Sequence, residues 1–120
     1  MKKNLLLSYS EQLAIDIENL CQLLSLDKET KNTVFQIRKS SSSVFANVSE
    51  AQYPQSLPDM LSKLKIARKE CFETESWLKL LYETDYIKED IYKKHRNLCG
   101  RIRKLITSSC ITLENKINNQ

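Results

Sequence analysis

The stretch VFQIRKSSSSVFANVSEA, residues 34–51, places apolar or small side chains at intervals of three and four residues. The members of this stripe are Val34, Ile37, Ser41, Val44, Val48 and Ala51. Side chains with this spacing lie on one face of an α-helix, so the stretch predicts an amphipathic helix. The apolar period continues in phase through the four consecutive serines, which therefore indicate a close helix contact rather than a linker.

The same spacing predicts two neighbouring helices. Upstream, in residues 4–26, the stripe consists of Leu6, Tyr9, Leu13, Ile17, Leu20 and Leu24. Downstream, Ser56, Pro58 and Asp59 form a helix start signal, because serine caps free amides and proline suits the first turn. The stripe of that third helix is Leu57, Leu61, Leu64, Cys71, Leu78 and Leu81, with an expected break around Ala67 and Arg68.

A fourth helix is predicted to open at Lys88 to Asp90. Its apolar stripe is Ile91, His95, Leu98, Ile102, Leu105 and Ser109, continuing to Leu113 and Ile117. The 120 residues suit one domain, 1–120, and one glycine and two prolines are too few for the turns of a many-stranded sheet. Because short connections make neighbouring helices antiparallel, the expected fold is all-α, an antiparallel up-down-up-down four-helix bundle with crossing angles of about 20°.

The cysteine usage argues against a metal site. The chain has four cysteines, Cys21, Cys71, Cys99 and Cys110, with no C-x-x-C pair and a single histidine. We predict that they fill the core in a reducing cytoplasm and bind no metal. The run Leu5 to Leu7 is too short for a signal-peptide core, and no run could span a bilayer. We therefore expect a soluble cytoplasmic protein without a membrane partner.

Positive charge is concentrated in two segments, residues 30–69 and 88–104. Each contains seven basic and two acidic residues, a net charge of +5, against +4 for the whole chain. The candidate nucleic-acid-binding residues share the outer side of the fourth helix, and they are Lys93, Arg96, Arg103 and Lys104, flanked by Arg101. Two interpretations are open: a surface for RNA or DNA phosphates, or a solvated exterior, which the lack of aromatic residues alternating with these bases favours.

Polar strips mark the second and third helices. The strip on the second helix consists of Gln36, Ser40, Ser43, Asn47 and Glu50, and that on the third of Lys63, Ala67, Glu70, Thr74 and Trp77. They either face water or form a specific polar subunit contact, in which such groups fix register more than they add stability.

No constellation of residues indicates catalysis. His95 occupies a stripe position without a partner motif, which is typical of a hydrogen-bonded core or interface residue. The spacing of Glu70, Glu73 and Glu75 indicates surface charge, and there is no H-E-x-x-H, G-x-S-x-G or P-loop pattern. We predict no enzyme, no catalytic residue, no cofactor and no small-molecule substrate.

Several short motifs resemble one protein family. They are QIRKS at 36–40, SVFANVSEAQ at 43–52, WLKLL at 77–81 and ETDYI at 83–87, and the resemblance covers residues 34–87. The family is that of the bacterial four-helix-bundle proteins, which includes proteins encoded in intervening sequences of 23S rRNA genes. A more distant relative is the accessory variability protein of diversity-generating retroelements.

The resemblance implies an antiparallel four-helix bundle that assembles into a homopentamer, with nucleic acid or a nucleic-acid-associated protein contacting its basic surface. It carries over no catalytic residue and implies a structural or assembly role for Asn47 and Glu50. We therefore expect a non-enzymatic, oligomeric helical bundle that binds RNA or a nucleic-acid-associated protein through basic helix faces. The alternative is a structural or protein-interaction module without a nucleic-acid ligand.

Overall fold

Four α-helices make up most of the protein. The computed structural model describes residues 4–24 and 27–120, and within these residues it contains no strand. The helices are α1 (Leu5–Leu24), α2 (Lys31–Glu50), α3 (Leu57–Glu83) and α4 (Glu89–Asn118), with a 3₁₀ turn at Lys28–Thr30. Residues 25 and 26, the end of the predicted first helix, lie outside the described residues. The predicted all-α four-helix fold is confirmed.

Each helix packs on its neighbours in the chain. The contacts join α1 to α2, α2 to α3 and α3 to α4, and α1 also packs on α4, which closes the ring. The protein is 52 Å long and about 25 Å across. A helix of 30 residues spans about 45 Å, so α4 runs nearly the full length of the bundle. Every short connection therefore reverses the chain direction.

Local chemistry fixes both ends of α3. The Ser56 hydroxyl accepts a hydrogen bond from the Asp59 amide at 3.1 Å, and Pro58 lies in the first turn, as predicted. At the other end Asp85 adopts a left-handed backbone, with φ of 65°. The Tyr86 amide then donates to the Leu81 carbonyl at 2.9 Å. This is a Schellman termination, which stops the helix and turns the chain towards α4.

The predicted stripes locate the core best in α2 and the middle of α1. All six residues of the α2 stripe are buried, as are Leu13, Ile17 and Leu20 of α1. The buried face of α3 differs from the predicted stripe, because Ala67 and Thr74 are fully buried and continue it without a break, whereas Leu57 and Leu61 are only half-buried. The small side chain of Ala67 allows a close approach of a neighbouring helix. A pattern search that counts only large apolar residues does not detect it.

The sequence pattern predicted the buried face of α4 only in part. The buried residues are Tyr92, His95, Cys99, Ile102, Ile106, Cys110 and Leu113. Ile91, Leu98 and Leu105 are only half-buried. Apolar side chains cover a broad arc of α4 that includes both the predicted and the buried residues. The packing of α1 and α3 on this arc buries the set that includes Tyr92 and the cysteines.

The four cysteines are free and buried, which confirms them as core residues. Burial raises the pKa of Cys21 to about 11 and also raises that of Cys110. The pKa of Cys99 is raised first by its interaction with Cys71 and then by burial. The raised pKa values keep the thiols of Cys21, Cys99 and Cys110 protonated and poorly nucleophilic at neutral pH.

Candidate nucleic-acid interface

A groove that runs from the exposed face of α3 to the α3–α4 contact collects basic residues of both helices. Near its middle, Arg103 of α4 reaches across to Glu75 of α3 with two hydrogen bonds, from Nε at 2.5 Å and Nη2 at 3.0 Å. Both side chains are partly buried, and the interaction with Glu75 raises the pKa of Arg103. A paired, planar contact of this kind fixes the guanidinium more firmly than a single ion pair does.

An exposed aromatic ring adjoins this ion pair. The Arg103 guanidinium carbon lies 4.6 Å from the centroid of the Phe72 ring, in a cation–π contact. Phe72 nevertheless remains 51% exposed. Since Phe72 and Glu75 are three residues apart on α3, one arginine of α4 contacts both of them.

A second arginine is placed by an aromatic pair. Arg96 lies 5.2 Å from the centroid of the Tyr92 ring. Tyr92 in turn stacks on Tyr82 of α3, with ring centroids 4.7 Å apart and an interplanar angle of 1°. This stack joins the two helices, and the phenol ring beneath Arg96 restricts where its guanidinium can lie.

Two adjoining clefts form the groove. One, of about 450 Å³, is lined by Glu75, Arg96, Asn97, Gly100, Arg101, Arg103 and Lys104. The other, of about 480 Å³, is lined by Lys65, Arg68, Lys69, Phe72, Glu73 and Ser76. They meet where Arg103 contacts Phe72. We call their combined lining the basic groove.

Several cations of the basic groove are not neutralised within the chain. Lys65 pairs with Glu114 at 3.5 Å, and Arg68 donates to the Thr107 hydroxyl at 3.4 Å. Among the residues that the structure describes, Lys69, Arg101 and Lys104 make no ion pair within 4.0 Å. All three are exposed. The groove therefore presents positive charge to solvent along both helices.

The structure brings four of the five predicted basic residues together. Arg96, Arg101, Arg103 and Lys104 line one cleft. Lys93 is not part of that lining, and it forms an exposed ion pair with Glu89 at 2.6 Å. Reasoning on single helices missed the contribution of α3, which is Lys65, Arg68, Lys69 and Phe72. The charge of residues 30–69 and the antiparallel pairing of α3 with α4 were the signals that could have located it.

The two predicted polar strips face each other inside one chain. The hydroxyls of Ser40 and Thr74 are 2.8 Å apart, and Lys63 pairs with Glu50 at 3.1 Å. Thr74 and Ala67 are fully buried, so neither can contact water or a second subunit as the strip interpretations required. These strips form the polar part of the α2–α3 contact.

The remaining strip residues are partly accessible beside this contact. Asn47 donates to the carbonyl and the hydroxyl of Ser43 at 2.9 and 3.1 Å. Gln36, Glu70 and Trp77 line a cleft of about 370 Å³ together with Lys39, Ser40, Glu73 and Ser76. Burial, followed by the neighbouring carboxylate of Glu73, raises the pKa of Glu70. Whether these side chains also contact another subunit stays a prediction.

His95 occupies the core, as predicted. It is 6% exposed, and its Nδ1–H donates to the Ile91 carbonyl at 2.7 Å. Within residues 4–24 and 27–120 no group of three or more His, Cys, Asp or Glu side chains is arranged to hold a metal ion. None of the helices in the same residues is long and apolar enough to cross a bilayer.

Fold and groove together define the class of protein: an all-α bundle of four antiparallel helices with a cationic groove on one side. The chain belongs to the 23S rRNA-intervening sequence protein family, whose model matches residues 2–108. No curated protein matches the sequence.

A solved structure supports the same assignment. It is the crystal structure of a protein with unknown function from the S23 ribosomal protein family of Bacteroides thetaiotaomicron VPI-5482. It shares 37% sequence identity with this chain, with a TM-score of 0.85, and the match covers 88% of this chain and 98% of that one. The four-helix architecture is thus shared over almost the whole of the relative.

Proposed function

We propose that this protein is a non-enzymatic, oligomeric helical bundle that binds RNA through the basic groove. The observation that carries the proposal is the set of exposed cations Lys69, Arg101 and Lys104, which make no ion pair among the described residues, around a groove that three further arginines line. Exposed cations in a concave surface attract the closely spaced phosphates of a nucleic acid and release its counterions. The family is named for the intervening sequences of 23S rRNA in which its genes lie, and the choice of RNA over DNA is part of this proposal.

Assembly would multiply this effect. The resemblance of the sequence to homopentameric bundle proteins supports an oligomer, in which every subunit contributes one groove. Several grooves that engage the same strand act through effective concentration, which increases avidity without any new contact. A modest net charge of +4 per chain is then repeated around the assembly.

The non-enzymatic part of the proposal rests on where the reactive side chains lie. The single histidine of the chain is buried with its Nδ1–H bonded to a backbone carbonyl, and the four thiols are in the core. The acids of the basic groove include Glu75, which is committed to Arg103. These positions suit packing and charge pairing rather than proton transfer to a substrate.

One observation favours the alternative of a protein-interaction module. A cleft of about 560 Å³ on the outer side of α3 is lined by Pro58, Leu61, Ser62, Lys65, Ile66, Lys69 and Ile117. Ile66, in this lining, is 41% exposed. Exposed apolar side chains in a cleft are typical of protein contacts. Such a module would need no RNA.

A matched pair of triple variants tests the proposal. One variant changes Lys69, Arg101 and Lys104 to Gln, and the control changes Lys28, Lys31 and Lys39, which are exposed and line neither cleft of the groove. Both variants carry three fewer positive charges than the parent. Filter-binding titrations with a structured RNA should show weaker binding for the groove variant alone. Its log affinity should also depend less steeply on log salt, by roughly 0.7 to 0.9 for each phosphate that it no longer neutralises.

Two results would contradict the proposal. Equal weakening by the two variants would show that net charge, and not the groove, determines affinity. A parent protein that binds no RNA at low salt would favour the interaction module. Circular dichroism of both variants checks that the changes leave the helices intact, as expected because Gln is a good helix former.

A further inference from the structure

We propose that the basic groove takes single-stranded RNA, with one unpaired base stacked on Phe72. This inference rests on the proposed RNA-binding function and specifies its ligand. It starts from the position of a phenylalanine that is 51% exposed although it adjoins the α3–α4 contact. Burying such a ring is worth several times the energy of a methyl group, so half of that gain is left unused in the free chain.

The ring is held in place. The Arg103 guanidinium lies over it at 4.6 Å, and two hydrogen bonds to Glu75 fix that guanidinium in turn. Two helices therefore determine the ring's surroundings, Phe72 and Glu75 from α3 and Arg103 from α4. A positioned ring loses little conformational entropy when a base stacks on it.

Cations lie on both sides of Phe72. Towards one side the cleft that contains the ring also contains Lys65, Arg68 and Lys69. Towards the other side Arg103 belongs to the cleft with Arg101 and Lys104. An aromatic platform within a cationic track is the arrangement by which proteins bind single strands, with bases on the ring and phosphates on the cations. The surrounding charge favours a polyanion over an apolar segment of protein.

Paired RNA does not fit this arrangement as well. In an A-form duplex the base faces are stacked on one another, and the deep major groove is too narrow for side chains to reach them. A duplex could use the cations but not the ring. An unpaired base in a loop, a bulge or a free strand offers its face directly. The ring therefore favours an unpaired strand over a duplex, although the duplex carries more phosphate charge.

The test compares Phe72→Leu with the parent on a short oligoadenylate and on the same strand annealed to its complement. Stacking on one aromatic side chain corresponds to roughly a 5- to 150-fold change in affinity. We expect a loss within this range for the single strand and little change for the duplex. Phe35→Leu is the control, because Phe35 is 61% exposed on α2 and lines neither cleft of the groove. It should bind both ligands like the parent.

A spectroscopic signal accompanies the affinity. An oligonucleotide that contains 2-aminopurine should lose fluorescence when it binds the parent and the Phe72→Trp variant, since a stacked 2-aminopurine is quenched. It should lose less with Phe72→Leu. If Phe72→Leu fails to fold, the Phe72→Trp variant still tests the inference. This aromatic replacement should retain the full preference for single-stranded over double-stranded RNA.

The outcomes separate this inference from the proposed function. Unchanged single-strand affinity in Phe72→Leu, together with weak binding by the groove triple variant, would overturn the stacking inference and leave RNA binding in place. Equal losses for single strand and duplex would also overturn it, because the ring would then act only by positioning Arg103. A parent that binds neither ligand would refute both.

Discussion

Helix α3 contributes polar residues to two contacts that use them in opposite ways. On the α2 side the polar groups bond each other: Ser40 with Thr74, and Glu50 with Lys63. On the α4 side two groove cations find carboxylates, Arg103 with Glu75 and Lys65 with Glu114. Other cations, such as Arg101, remain unpaired among the described residues. Hydrogen bonds and charges that are satisfied inside the chain contribute to folding. Charges left open beside an exposed ring contribute little to folding and are available to a ligand.

The largest stability effect is expected from overfilling the α2–α3 contact. Ala67→Leu adds three carbon atoms at a fully buried position, and overpacking of this kind should lower the free energy of unfolding by roughly 1–3 kcal/mol. Urea unfolding measures the change. Ala46→Leu, at an exposed position on α2, is the control and should change it by less than about 0.5 kcal/mol. A small effect at both positions would mean that this contact is looser than described.

The next effect concerns the buried pair of hydroxyls. Thr74→Val removes the partner of the Ser40 hydroxyl, which keeps only its bond to the Ile37 carbonyl, and should cost about 1 kcal/mol. Adding Ser40→Ala should cost less than the sum of the single changes, because no buried hydroxyl then lacks its partner. Thermal unfolding of the four proteins completes the cycle. Strict additivity would show that the two hydroxyls do not stabilise each other.

Glu75→Gln tests the α4 side of α3, where charges are available to a ligand. It should lower the free energy of unfolding by about 1 kcal/mol or less, because the ion pair is only partly buried. RNA affinity should rise, since Arg103 becomes free to contact phosphate, with a steeper salt dependence by roughly 0.7 to 0.9. Glu18→Gln is a close control, as Glu18 makes the same paired contact with Arg38 between α1 and α2. Matching gains in affinity for both variants would contradict a specific groove.

The smallest effect is a pH dependence at the edge of the α2–α3 contact. The pKa of Glu70 is raised above 4.5 by burial and then by Glu73, so the native state binds this proton more tightly than the unfolded state does. Stability from this group is therefore full at low pH and decreases as pH rises through and above 4.5. Glu70→Gln should raise the thermal midpoint at pH 7, and the difference should vanish in acid. A lower midpoint at pH 7 would contradict this.

The sequence predicted what depends on one helix at a time. The α2 stripe from Val34 to Ala51 was right at every position, and the cap at Ser56 was right, because periodicity and capping are local properties. The α4 stripe was less accurate. Ile91 and Tyr92 both lie on its broad apolar arc, and only the neighbouring helices determine which of them is buried.

The site could be predicted only in part, for the same reason. Arg96, Arg101 and Lys104 share a face of α4 and were found from their spacing. Phe72 and Lys69 belong to another helix, and their place beside Arg103 depends on the register of α3 against α4. The polar strips of α2 and α3 were recognised, but nothing in either helix alone indicated that Ser40 and Thr74 would bond each other.

The most direct test of the basic groove is zero-length ultraviolet crosslinking of the parent to single-stranded RNA, with mass spectrometry to locate the adducts. The protein contains its own controls, because Tyr53 and Phe35 are 88% and 61% exposed and lie away from the groove, whereas Phe72 is 51% exposed within it. We predict adducts on the peptide that carries Phe72 and on residues 96–104, despite the lower exposure of that ring. Adducts confined to Phe35 or Tyr53 would contradict the assignment of the basic groove as the RNA-binding surface.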